Sequence, residues 1–134
     1  MAEGHPLPYV LGEWAFFGRT FKVTPDVLIP RPETETLVES AIDRARGIQT
    51  PRIIDVGTGS GAIAVSLAAE LPHATIVASD IARPALLIAR ENARRHGLAN
   101  IHFLQADLLS PIQAPFDVIC ANLPYIPSGK LSHL

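Results

Sequence analysis

Apolar and polar positions recur along this chain with two different periods. Near the start, Tyr9 to Val23 carries Trp14, Phe16, Phe17 and Phe21 around Gly18-Arg19, which predicts a β-hairpin with glycine in its turn. Val27 to Pro32 follows as extended chain, since the residue before a proline is kept out of helix. From Glu33-Thr34 the spacing becomes helical, with Leu37, Val38, Ala41, Ile42 and Ala45 on one apolar face. Glu33 and Glu35 stand where the helix dipole favours acids, and Gly47 is the expected stop.

A strict alternation comes next. Arg52 to Val56 reads as a strand, Gly57 to Gly61 as a loop, and Ala62 to Glu70 as a helix stopped by Pro72. Thr75 to Ser79 is a second strand ending in Asp80. Pro84 to His96 is a helix with proline in its first turn and Gly97 after its end. Ile101 to Gln105 is a third strand, ending near Asp107, and Phe116 to Ala121 a fourth. Strands alternating with helices of this length imply an α/β fold, its parallel strands joined by right-handed crossovers. No internal repeat or low-complexity segment interrupts it.

The loop Asp55-Val-Gly57-Thr58-Gly59-Ser60-Gly61 follows the first strand and opens a helix. Three glycines in five residues let the backbone turn tightly and let a ligand approach closely, so this is read as a binding loop. The residues also satisfy the dinucleotide pattern, whose last position may be alanine, here Ala62. They fail the kinase-type phosphate loop and the hydrolase nucleophile elbow. Asp80, at the tip of the second strand, sits where a carboxylate bonds ribose hydroxyls, and both nicotinamide dinucleotides and S-adenosylmethionine carry such a ribose. Asp107, at the tip of the third, would suit the exocyclic amine of an adenine.

The fourth strand ends in Asn122-Leu123-Pro124-Tyr125. Ligands of open α/β sheets bind outside the carboxyl ends of the strands, and a polar residue, a rigid proline and an aromatic ring there suit a ligand-handling loop. An ordinary Asn-x-Pro turn is the alternative.

Together the glycine loop, Asp80 and Asn122 to Tyr125 resemble the amino-methyltransferases, which methylate glutamine amides or adenine amines. Gly12-Glu13 with the aromatic hairpin, followed by Phe21 to Glu35 with its Pro-Arg-Pro-Glu-Thr-Glu run, is similar to the peptide chain release factor glutamine methyltransferases, a protein-glutamine methyltransferase family. The resemblance runs from about Tyr9 to Pro127. It implies a Rossmann-like core with strand order 3-2-1-4, S-adenosylmethionine as cofactor, and a glutamine of a release factor, within Gly-Gly-Gln, as substrate. In that family Gly57, Thr58, Gly59, Ser60 and Gly61 match the residues around the methionine part of the cofactor, and Asp80 matches the ribose acid. Asp107 and Leu108 fall beside the adenine. Asn122, Leu123, Pro124 and Tyr125 match the substrate-holding motif, with Asn122, Pro124 and Tyr125 in the catalytic role and Asn122 also beside the cofactor. The Asn122 side-chain oxygen and the Leu123 carbonyl would accept the two amide hydrogens, and Tyr125 would pack on the flat amide.

Two departures stand out. The family usually has proline where this chain has Leu123. Family members also carry a helical docking domain before the hairpin and strands after the fourth, so the resemblance implies truncation at both ends. The core would then be incomplete at the C-terminus, with Phe116 to Cys120 an apolar edge inviting homo-oligomers. A cofactor-binding fragment without activity, a methyltransferase acting on a ribosomal protein or an adenine, and a nicotinamide dehydrogenase are the competing readings.

The bulk numbers narrow this further. At 134 residues the expectation is one domain, residues 1–32 forming the hairpin and extended segment and 33–134 the cofactor-binding core. Hydrophobic residues at 48% and charged residues at 18% suit a globular protein. No apolar run reaches the ~20 residues of a membrane helix, Met1 to His5 do not resemble a secretory signal, and one cysteine, Cys120, points to a reducing cytoplasm. A net charge of −2 argues against nucleic acid as the partner. The five histidines lack metal-ligand spacing, so no metal is expected. Arg83, Arg90, Arg94 and Arg95 read as a solvated helix face, Cys120 as a buried apolar residue, and Trp14 with the phenylalanines as hairpin packing.

Overall fold

The computed structural model describes residues 12–107 and 115–121. Strands β1 (Glu13–Phe16) and β2 (Arg19–Lys22) form an antiparallel hairpin with Phe16 opposite Arg19. The turn is therefore Phe17-Gly18, one residue earlier than the sequence indicates. Both residues have positive φ (49° and 78°), as a two-residue turn matched to the strand twist requires. A phenylalanine is strained there, and its backbone is held by a hydrogen bond from Phe17 N to Glu35 Oε2 at 2.9 Å. Glu35 thus pins the hairpin as well as standing in the first turn of α1 (Thr34–Ala45).

The parallel strands β3 (Arg52–Val56), β4 (Thr75–Asp80), β5 (Ile101–Gln105) and β6 (Val118–Ala121) form a sheet of order β5-β4-β3-β6. This is the expected 3-2-1-4 arrangement counted along the parallel strands, a Rossmann-like core. Helices α2 (Ala62–Glu70) and α3 (Arg83–Arg95) make the crossovers between β3, β4 and β5, and α3 begins and ends one residue before the sequence reading. Strand β6 starts at Val118, two residues later than expected.

Register explains the core. Ile53, Ile76, Ile101 and Val118 lie level across the sheet, as do Asp55, Ala78, Phe103 and Cys120. All but Asp55 belong to one hydrophobic cluster, with Val38 and Ala41 of α1 and Val65 and Leu67 of α2. The strand positions between them face the other way, where Leu104 (51% exposed) and Ile119 (64% exposed) are in solvent. Phe16 and Phe21 join the core, whereas Trp14 stays at the surface, so hairpin packing is the work of the phenylalanines alone. Among the described residues no helix is long and apolar enough to cross a membrane.

A buried polar residue ties the hairpin to this core. Asn92 of α3 is fully buried; its Oδ1 accepts from Lys22 N at 2.6 Å, and its Nδ2 donates to Lys22 O (3.0 Å) and Ser60 O (2.8 Å). One side chain thereby satisfies three backbone groups belonging to two segments about 40 residues apart in the chain. Replacing Asn92 by leucine leaves all three unpaired in an apolar setting. Each such loss costs about 1–3 kcal/mol when the group is shut off from water and less at half-buried Lys22, so Asn92→Leu is expected to lower unfolding free energy by roughly 2–4 kcal/mol in urea denaturation, with faster hydrogen exchange at the Lys22 amide. An unchanged midpoint would show that the tie is dispensable.

Candidate functional site

The functional geometry begins with an acid where the pattern calls for an apolar residue. Asp55 is two residues after Ile53 on β3, hence on the core-facing side, and is 1% exposed. Its Oδ2 accepts from the Thr58 hydroxyl at 2.8 Å, while its Oδ1 has no hydrogen-bond partner. Burial pushes its pKa up to about 7; the Thr58 hydroxyl and the Ala64 backbone amide pull the other way, and Asp80 adds to the rise.

The glycine loop is braced from the neighbouring strand. Thr58 N donates to Ser79 O at 2.8 Å, and Gly59 N donates to Asp80 Oδ2 at 2.9 Å. The other Asp80 oxygen accepts from Ala82 N at 2.9 Å, so this carboxylate holds the loop and the start of α3 together. Its remaining lone pairs are the ones left for a ligand. Two glycines do different work. Gly61 (φ 85°) sits where an added Cβ would meet Ala89 Cβ at 3.0 Å and its Cα at 3.1 Å, so its absent side chain lets α2 and α3 approach. Gly59 (φ 57°) would meet nothing within 4 Å, because it faces open space.

That space belongs to a cavity of about 630 Å³, within the range of small-molecule sites. Gly57, Thr58, Gly59 and Ser60 form one wall, Asp80 to Ala82 another, and Ala106 a third. The remaining wall is the extended segment, Asp26 to Arg31 with Glu33 and Thr34, which crosses the mouth of the loop. It is anchored by Val23 and Val27, which pack against Ala85 and Ile88 of α3.

The structure therefore brings together the loop and Asp80, as the sequence predicts. Gly61 and Asp107 are outside the cavity wall, Gly61 because it packs on α3 and Asp107 because it lies one residue past Ala106. Leu108, Asn122, Leu123, Pro124 and Tyr125 lie outside the described residues. Sequence reasoning assigned no role to Asp55, Asn92 or the extended segment. An acid at an inward-facing strand position was the available signal for Asp55, whereas the other two depend on which segments meet in three dimensions. Cys120, level with Asp55, has its thiol pushed up to about 12 by burial and by that carboxylate, which favours the neutral thiol.

Residues 49–132 match a family model described as a methyltransferase domain. The chain belongs to the methyltransferase family. A relative named release factor glutamine methyltransferase, from Moorella thermoacetica, is 48% identical over 135 residues, covering 99% of this chain and 48% of the relative. One of the same name from Chlorobaculum tepidum is 45% identical over 143 residues, covering 98% of this chain and 49% of the relative. The chain thus spans about half the length of the curated relatives it matches. Among solved structures, an RNA methyltransferase from Salinibacter ruber in complex with S-adenosyl-L-homocysteine superposes with a TM-score of 0.64 at 28% identity, over 78% of this chain and 67% of that one. The methyltransferase core described above is thus shared with enzymes of different substrates.

Three outcomes are expected of this site. An acid whose folded pKa is raised from 3.8 to about 7 binds more protons folded than unfolded between those values. Its contribution to stability therefore falls as pH rises from about 4 to about 7, and is level above. Thermal melts of Asp55→Asn should lose this decline; a wild-type slope retained in the variant would refute the assignment. In the loop, Gly61→Ala should cost roughly 1–3 kcal/mol through clash and strain, as read by denaturant unfolding. Gly59→Ala should cost about 1–2 kcal/mol in stability through backbone strain alone yet weaken ligand binding more than tenfold, measured by titration calorimetry.

Proposed function

We propose that this chain is the cofactor-binding core of an S-adenosylmethionine-dependent methyltransferase that modifies the side-chain amide nitrogen of a glutamine in a protein, with a peptide chain release factor as substrate. The observation carrying the reading is the cavity at the strand ends, floored by a glycine loop that contains no Lys or Arg and flanked by acids. Such a site suits a cationic sulfonium better than a pyrophosphate. Relatives at 44–48% identity that carry the name release factor glutamine methyltransferase favour the glutamine substrate over the RNA of the more distant structure.

When bound, S-adenosylmethionine supplies an electrophilic methyl group; the rest falls to the chain. Gly57 to Ser60 would line the methionine part, with Gly61 bracing them against α3, Asp80 would meet the ribose, and Asp107 and Leu108 would stand toward the adenine. A glutamine amide nitrogen is a poor nucleophile because its lone pair is delocalised into the carbonyl. Asn122 and the Leu123 carbonyl would compensate by accepting hydrogen bonds from its two N–H groups and aligning the nitrogen in line with the methyl carbon, so that the new C–N bond replaces the methyl–sulfur bond, the thioether leaves as S-adenosylhomocysteine and the surplus N–H proton passes to water, while Pro124 stiffens the turn and Tyr125 packs on the amide plane. Leucine at 123 keeps the backbone acceptor that the chemistry uses. The reading places the protein in the cytoplasm, and extends to self-association through the edge of β6, where Ile119 is exposed.

Titration calorimetry with S-adenosylmethionine, and NAD as control, tests the core of this. Binding of the first alone is expected; binding of NAD alone would replace the reading with a dehydrogenase. Transfer of labelled methyl to a release factor tests the substrate, and Asn122→Ala should lower it by roughly 10²-fold or more, a larger factor than it lowers cofactor affinity. Transfer to RNA but not to the release factor would reassign the substrate.

A further inference from the structure

We infer that Arg31 binds the α-carboxylate of the cofactor's methionine moiety. The inference rests on the cofactor reading above and deepens it. That moiety ends in an ammonium and a carboxylate, and the loop of residues 57–61 offers the carboxylate no positive side chain. Of the residues lining the cavity, Asp26, Glu33 and Asp80 are acids and Arg31 is the single cation among those described. Four other described cations are held in ion pairs and two lie over phenylalanine rings, and none of the rest lines the cavity. The Arg31 guanidinium is exposed and engages no described residue.

Its placement is fixed before any ligand arrives. Pro30 and Pro32 restrict the backbone on either side. Arg31 O accepts from Thr34 N at 2.9 Å, and Pro32 O accepts from Glu35 N at 3.1 Å. Glu35 is in turn fastened to the hairpin through Phe17 N. A planar guanidinium on a rigid tether forms two parallel hydrogen bonds to a carboxylate and loses little backbone freedom in doing so. The same elements that hold the hairpin to α1 therefore hold a carboxylate receptor over the cavity.

The test compares two ligands on three forms of the chain. S-adenosylmethionine and its decarboxylated analogue, which keeps the sulfonium and the ammonium, are titrated calorimetrically into wild type, Arg31→Gln and Arg31→Lys. Expected is a roughly 10- to 100-fold loss of S-adenosylmethionine affinity in Arg31→Gln, with the analogue changed less than about twofold and partial recovery in Arg31→Lys. Equal losses for both ligands would mean that Arg31 only shapes the segment, and no loss for either would mean that it touches no ligand; each overturns the inference. Wild type binding both ligands equally well would also overturn it, leaving the cofactor reading intact. Wild type binding neither would sink the cofactor reading itself, and the inference with it.

Discussion

Two hydrogen bonds from the tip of β4 hold open the loop on which the rest of the site depends. Thr58 N reaches Ser79 O, and Gly59 N reaches Asp80. A run of glycines has no preference for the conformation it adopts here, with positive φ at Gly57, Gly59 and Gly61. Left alone, such a loop would sample many shapes. Bonding it to the neighbouring strand converts that freedom into one concave shape, and the shape of the cavity follows. Asp80 therefore acts on the protein before it acts on any ligand.

The loop is also tied beneath and behind. Asp55, buried on the core side of β3, takes the Thr58 hydroxyl, and Asn92 takes the Ser60 carbonyl. Both are expensive residues to bury. Asn92 offsets the cost by filling its hydrogen-bonding capacity on the hairpin and the loop at once. Asp55 does not, since one oxygen is unpartnered and its proton affinity is raised. A buried acid left half satisfied costs stability at any pH where it is ionised.

The fourth wall has a different origin. The segment from Asp26 to Arg31 has no ladder of its own, and it stays in place because its start packs on α3 and its end turns into α1. Proline on both sides of Arg31 makes this possible, since little chain entropy remains to be lost. Hairpin, extended segment and helix α1 thus work as one frame, fastened by Glu35 to Phe17 and by Asn92 to Lys22.

By itself the sequence determined the elements and their order. Period-two runs such as Arg52 to Val56, and the helical spacing from Leu37 to Ala45, are local signals whose physics is complete within a few residues. A glycine loop between a strand and a helix is equally local, and with Asp80 it marked the binding edge of the sheet. Only tertiary structure decided the remainder. The turn moved to Phe17-Gly18 because Glu35, eighteen residues on, holds that amide. Trp14 was left 36% exposed while Phe16 and Phe21 were buried, although the register sets it level with Phe21 on the same face of the hairpin. Arg31 joined the wall of a cavity whose glycine loop begins twenty-six residues later. Each of these follows from which distant segments meet, and a linear pattern of apolar and polar positions carries no term for that.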